Sequence, residues 1–100
     1  MNTTQAEELL PLLKSQLNLD HDLDDALLTH KLRAAGTWIE NFVGGDFLTN
    51  DPIMTEAALQ LAAYWYEQRE AAADQRLLEV PFGVHELLNR YRRVVTGRHW

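Results

Sequence analysis

The side chains in this 100-residue chain best suited to chemistry are four histidines, a single serine and two groups of acids. His21, His30, His85 and His99 are scattered, and none has a second histidine or a carboxylate at metal-ligand spacing. His85-Glu86 lacks the histidine four positions on that would place two imidazoles on one helix face for zinc. Asp20, Asp22, Asp24 and Asp25 alternate as calcium ligands do. However, Asp25 stands where the loop needs glycine, and Lys31 stands where a bidentate glutamate would close the shell. A helix start rich in capping acids is the simpler account. Ser15 has no glycine elbow to activate it for acyl transfer. Gly44-Gly45 lacks both the further glycines and the Lys-Ser/Thr of a phosphate-cradling loop. Glu67 and Glu70 fall on a polar ridge rather than in a pocket suited to proton transfer. The reading is that this is not an enzyme and that it holds no cofactor or metal.

The elements that would position these residues belong to one small domain covering residues 1–100. Hydrophobic residues make up 46% and charged residues 24%, which is globular composition and excludes wholesale disorder. The absence of cysteine removes disulfides, thiolate metal sites and thiol nucleophiles together. No run approaches the roughly 18 apolar residues of a membrane span, and Glu7 and Glu8 oppose a signal peptide. A soluble protein of a cytosol-like compartment, with no membrane partner, is expected. Five glycines and three prolines argue against a turn-rich β fold.

Four helices follow from the periodicity, so the fold class is an all-α bundle. Thr4 and Glu7 have capping-box spacing ahead of Leu9, Leu10, Leu12, Leu13 and Leu17. Pro11 inside that stretch predicts a kink or a later start. Asp22 or Asp24 caps a second helix that runs to about Val43. Its stripe is Leu28, Leu32, Ala35, Ile39 and Phe42, widened by Leu27 and Trp38, and Gly44-Gly45 ends it. Asp51-Pro52 reads as an N-cap followed by proline at the first helical position. It opens a long central helix over about 52–72, roughly 30 Å long at the usual rise. That helix is apolar almost all round, apart from a ridge of Glu56, Gln60, Glu67, Glu70 and Asp74. Such a helix must be covered on several sides, which suggests a neighbouring subunit. Residues 73–81 connect it to a fourth helix opened by Pro81-Phe82-Gly83, with Val84, Leu87, Leu88 and Tyr91 as its stripe. This helix is expected to end near Arg93, leaving 94–100 as a flexible tail broken at Gly97.

Charge is divided along the chain. Residues 1–51 hold nine acids against three bases and account for the whole net charge of -6, while residues 52–100 hold six of each. Arg90, Arg92, Arg93 and Arg98 crowd the end. Solvated acids with cations at a helix C-terminus explain this, and so do two poles that meet different partners. Net acidity disfavours general nucleic-acid binding, which rests on a basic footprint. In Tyr64-Trp65-Tyr66, Trp65 suits the core, and an outward tyrosine suits a protein interface. Leu59, Tyr64, Tyr66, Arg90, Arg92 and Arg93 are therefore the candidate subunit or partner interface.

Three stretches, in this order, resemble the small head–tail connector proteins of tailed bacteriophages and prophages. The first is the Asp-rich turn into Asp25-Ala26-Leu27-Leu28, then Ala34-Ala35, Ile39-Glu40 and Gly45. The second is the run from Ala63 through Tyr64-Trp65-Tyr66-Glu67-Gln68-Arg69-Glu70 to Ala71. The third is Val80-Pro81-Phe82-Gly83-Val84 with Leu87-Leu88 and Tyr91-Arg92. The leucine-dense start with Pro11 fits the pattern loosely.

The resemblance implies a structural protein of the virion head–tail junction, assembled in the host cytoplasm. It implies a homo-oligomeric ring under the portal protein, a channel that DNA traverses without sequence-specific binding, and a platform for later connector or tail proteins. It transfers no active site. Two other readings stand beside it. One is a small helical DNA-binding regulator using Tyr91-Arg92-Arg93, and the other is a helical partner-binding module.

Overall fold

The apolar stripe of the second helix is the frame on which the other helices pack. In the computed structural model, which describes residues 1–68 and 80–97 (the side chains of 92–97 excepted), four helices and no strand are present among the described residues. They are α1 (Thr3–Gln16), α2 (Asp25–Val43), α3 (Pro52–Glu67) and α4 (Phe82–Gly97). The fold is all-α, as the periodicity predicts.

α1 starts earlier than Thr4-Glu7 suggests. Asn2 is the N-cap: its side chain accepts from the Gln5 N–H at 2.8 Å, and Gln5 Oε1 accepts from the Asn2 N–H at 2.9 Å. The same reciprocal box is thus built two residues upstream. Pro11 lies within the helix, which runs through it to Gln16. The carbonyl deprived of its partner belongs to Glu7, and both residues are exposed, so water can replace the lost bond. The leucines divide: Leu9 and Leu13 are buried, Leu10 and Leu17 half-buried, and Leu12 exposed. Asn18 ends the helix with φ 59°, while the Leu19 N–H reaches the Lys14 carbonyl at 2.9 Å and the Asn18 N–H reaches that of Ser15 at 3.2 Å. Asparagine here takes the left-handed role that glycine usually fills.

α2 follows its pattern closely. Leu28, Leu32, Ala35 and Ile39 are fully buried, with Leu27, Trp38 and Phe42 packed beside them. Gly44 closes it at φ 78°, its N–H donating to the Glu40 carbonyl at 2.8 Å. α3 opens as the Asp51-Pro52 pair predicts, with Asp51 Oδ1 accepting from the N–H groups of Ile53 at 2.9 Å and Met54 at 3.3 Å.

One expectation is corrected here. α3 does not need a second subunit to hide it, because Met54, Ala57, Ala58, Leu59, Leu61, Ala62, Ala63, Trp65 and Tyr66 are all buried within the chain. The physical reason is size. Four alanines let the three other helices approach closely, so they cover most of its circumference. α3 ends at Glu67, with Gln68 as its C-cap, and its expected extension to 72 lies outside the described residues.

α1 and α4 each pack on both α2 and α3 and barely meet each other, so they flank that pair on different sides. Val84 and Leu88 anchor α4 in the core. α4 reaches Gly97 rather than stopping near Arg93, so positions 94–97 are helical, and 98–100 lie outside the described residues.

Candidate functional site

The histidines and acids do not converge on a reaction centre. Among the described residues, no group of three or more His, Asp or Glu side chains is placed to hold a metal ion. The His21 ring Nδ1 accepts from the Leu23 N–H at 3.2 Å, and His30 is exposed on α2. His85 meets Trp38 and Phe42 edge-on, at centroid distances of 5.6 and 5.4 Å, while those two rings stack at 5.0 Å. That trio fastens the start of α4 to α2. His99 lies outside the described residues.

The aspartate-rich turn has an internal counter-ion. Lys14 Nζ, from α1, donates to Asp22 Oδ1 at 2.7 Å and pairs with Asp25 Oδ1 at 2.9 Å. The second contact is an ion pair without hydrogen-bond alignment. The lysine's pKa is raised, first by its bond to Asp22, and the Asp22 carboxyl is held below its ordinary range by Lys14. Lys14 therefore supplies at this turn the positive charge for which the alternating acids suggested calcium.

Two further acids lock the ends of helices. The Tyr91 hydroxyl donates to Asp51 Oδ2 at 2.6 Å, and the Tyr66 hydroxyl donates to Asp24 Oδ2. Each tyrosine thereby clasps the N-cap residue of a different helix. The Met1 ammonium lies 2.8 Å from Glu40 Oε2, which also accepts from the Phe47 N–H at 3.2 Å. The ammonium lowers the Glu40 pKa. All three contacts are structural.

The candidate interface residues lie on two helices, α3 and α4. Leu59 and Tyr66 are only 6% and 8% exposed, and Tyr64 is half-buried beside them on α3. Arg90 is exposed on α4, and the side chains of Arg92 and Arg93 lie outside those described. The apolar surface that is exposed sits elsewhere. Phe82 is 74% exposed at the first position of α4, and Leu23 is 87% exposed in the α1–α2 turn. Leu10, Pro11 and Leu19 line an open groove of about 440 Å³, edged by Lys14, Ser15, Asp20 and Asp25. No described helix is long and apolar enough to cross a membrane.

No curated protein and no solved structure gives a significant match to the chain. A family model does: that of the phage gp6-like head-tail connector protein matches residues 8–92, from the first helix to the last. With that match covering most of its length, the chain belongs to the phage gp6-like head–tail connector protein family.

Proposed function

We propose that the protein assembles as a homo-oligomeric ring beneath the portal, prolongs the channel through which DNA passes, and offers a platform to later connector or tail proteins. The observation that carries this reading is the family match over residues 8–92. Head–tail connectors are structural components of the phage particle, associated with portal and tail proteins, and their family is not one of enzymes.

The geometry is compatible with this role. Described side chains pack one apolar core and fix helix ends. A ring requires head-to-tail contacts, in which two different faces of one subunit meet. α1 and α4 provide two such flanks on different sides of the α2–α3 pair. Acids from the first half of the chain, such as Glu7, Glu8 and Asp46, would repel a passing duplex and keep it from sticking. Arg90, Arg92 and Arg93, with the partly buried ring of Tyr64, would dock acidic portal surface. Leu59 and Tyr66 would support that face from within.

The test is co-migration. The purified chain should travel with portal particles on a density gradient, and reversing Arg90, Arg92 and Arg93 to glutamate should release it. Co-migration that survives the triple reversal removes the docking role from the arginines. No co-migration of the native chain removes the connector reading.

A further inference from the structure

Met1 is fixed by both its side chain and its amino group. The side chain packs on the core beside Gly36, a buried glycine in the middle of α2. A Cβ at position 36 would stand 2.4 Å from the Met1 Cβ and 2.9 Å from its Cε, so the missing side chain makes room for Met1. Glycine is otherwise a poor choice inside a helix. The Met1 ammonium lies 2.8 Å from Glu40 Oε2, one turn further along α2. The same oxygen accepts from the Phe47 N–H at 3.2 Å, and the Phe47 carbonyl accepts from Gln5 Nε2 at 3.4 Å. Phe47 itself is buried. Met1, the last turns of α2 and the α2–α3 connection thus meet at one carboxylate.

We propose that Met1 is kept in the working protein with its α-amino group free, and that this amino group is a modification-sensitive site whose formylation unlatches the α2–α3 connection. The second residue favours retention. Bacterial aminopeptidases remove an initiator methionine when the next residue is small, and Asn2 is not. A phage chain made on bacterial ribosomes starts as N-formylmethionine. Deformylation supplies the cation: water hydrolyses the formyl C–N bond, formate leaves, and the freed amine takes up a proton. The contact with Glu40 does not depend on whether the chain forms a ring.

Blocking the amine changes both its charge and its donors. An ammonium offers a full charge and three donors, whereas a formamide is neutral with a single N–H. Glu40 is half-buried, and the Met1 ammonium is the first cause holding its carboxyl below the ordinary range. A carboxylate that loses its partner in such a place is left with an uncompensated charge. The other charged groups lining this recess are Arg33 and Asp46, both exposed. Asp46 is a further anion. Arg33, two turns before Glu40 on α2, makes no ion pair with it among the described residues. The ammonium is therefore the cation on which Glu40, and through it the Phe47 N–H, relies.

Cell-free translation with and without a deformylase inhibitor yields the formylated and the free chain, told apart by intact mass. The free chain should melt roughly 4–8 °C higher. Its Phe47 amide should exchange hydrogen about tenfold more slowly than in the formylated chain. An unchanged Phe47 exchange rate overturns the proposal, whatever the melting temperature does. Glu40→Gln separates the charge from the bulk of the formyl group. In that variant formylation should lower the melting temperature little, because the ion pair is already gone. An undiminished loss there means crowding beside Gly36 rather than a broken ion pair, and overturns the proposal. Should Glu40→Gln fail to fold, the Phe47 comparison in the native chain decides alone. Intact mass of the chain purified from growing cells checks retention. Met1 present and unblocked is the expected result, and a folded chain that has lost Met1 overturns the proposal.

Discussion

The Tyr91 hydroxyl donates to Asp51 Oδ2 at 2.6 Å, while the other oxygen of the same carboxylate caps α3 through the N–H groups of Ile53 and Met54. One side chain therefore starts one helix and holds another. The bond to Tyr91, followed by the two backbone N–H groups, depresses the Asp51 pKa. Burial, followed by the Asp51 carboxylate, raises that of Tyr91.

Tyr91→Phe should cost about 1–2 kcal/mol, the usual range for a hydrogen bond to a charged group allowing for partial exposure. In a domain of this size that lowers the melting temperature by roughly 4–16 °C. The pH dependence has a definite sign. The Asp51 contribution is complete above the ordinary carboxyl pKa and is lost as pH falls through its lowered folded value. The Tyr91 contribution is complete below the ordinary phenol pKa and is lost as pH rises through its raised folded value. The gap between native and Tyr91→Phe melting curves should be widest between those limits and narrow at both extremes. A gap that grows in acid contradicts the assignment.

Lys14→Gln should return the Asp22 carboxyl towards its ordinary titration range. Carbon-detected NMR titration measures this directly, and the native carboxyl should titrate at lower pH than in the variant. Any stability from the Asp22 pair is present above the ordinary carboxyl pKa and is lost as pH falls through the depressed one. Identical titration in the two proteins would show that Lys14 does not neutralise the turn.

Gly36→Ala sets two effects against each other. Helix propensity alone favours alanine by about 0.8–1.0 kcal/mol. A Cβ at position 36, however, would stand 2.4 Å from the Met1 Cβ and 2.9 Å from its Cε. Overpacking of this kind costs about 1–3 kcal/mol, so the melting temperature should stay level or fall. A clear rise would show that Met1 moves aside without cost.

Leu61→Ala and Leu12→Ala separate core from surface on residues of identical chemistry. Leu61 is fully buried and Leu12 is 53% exposed. The first should cost about 2–5 kcal/mol and the second within about 0.5 kcal/mol of nothing, as read by denaturant unfolding. Similar losses for both would place Leu12 in a packed environment that the bundle does not give it.

The legible parts of the fold were those fixed locally. Asp51-Pro52 and Gly44 mark helix ends through the backbone geometry of a few residues, and the α2 stripe marks its buried face by spacing alone. The start of α1 was misplaced because Thr4–Glu7 and Asn2–Gln5 are both acceptable boxes, and only packing chooses between them. Asn18 could not be distinguished from an ordinary loop residue, since its left-handed backbone depends on the turn it joins. The need to cover α3 from outside was overestimated because hydrophobicity counts residues, whereas coverage depends on how closely alanines let neighbours approach. Of the candidate interface, Arg90 was legible as surface. Leu59 and Tyr66 were not legible as buried, because the helix they sit on looks alike on every side. The exposure of Phe82 and the Leu10–Pro11–Leu19 groove depend on which elements fail to meet, which no single-chain periodicity records.

The central claim is assembly on the portal, and light scattering of the chain with purified portal particles tests it most directly. The account predicts that the particle gains mass in the amount of many 11.5 kDa subunits and then saturates, as a closed ring must. A portal particle whose mass is unchanged at saturating chain concentration would contradict it.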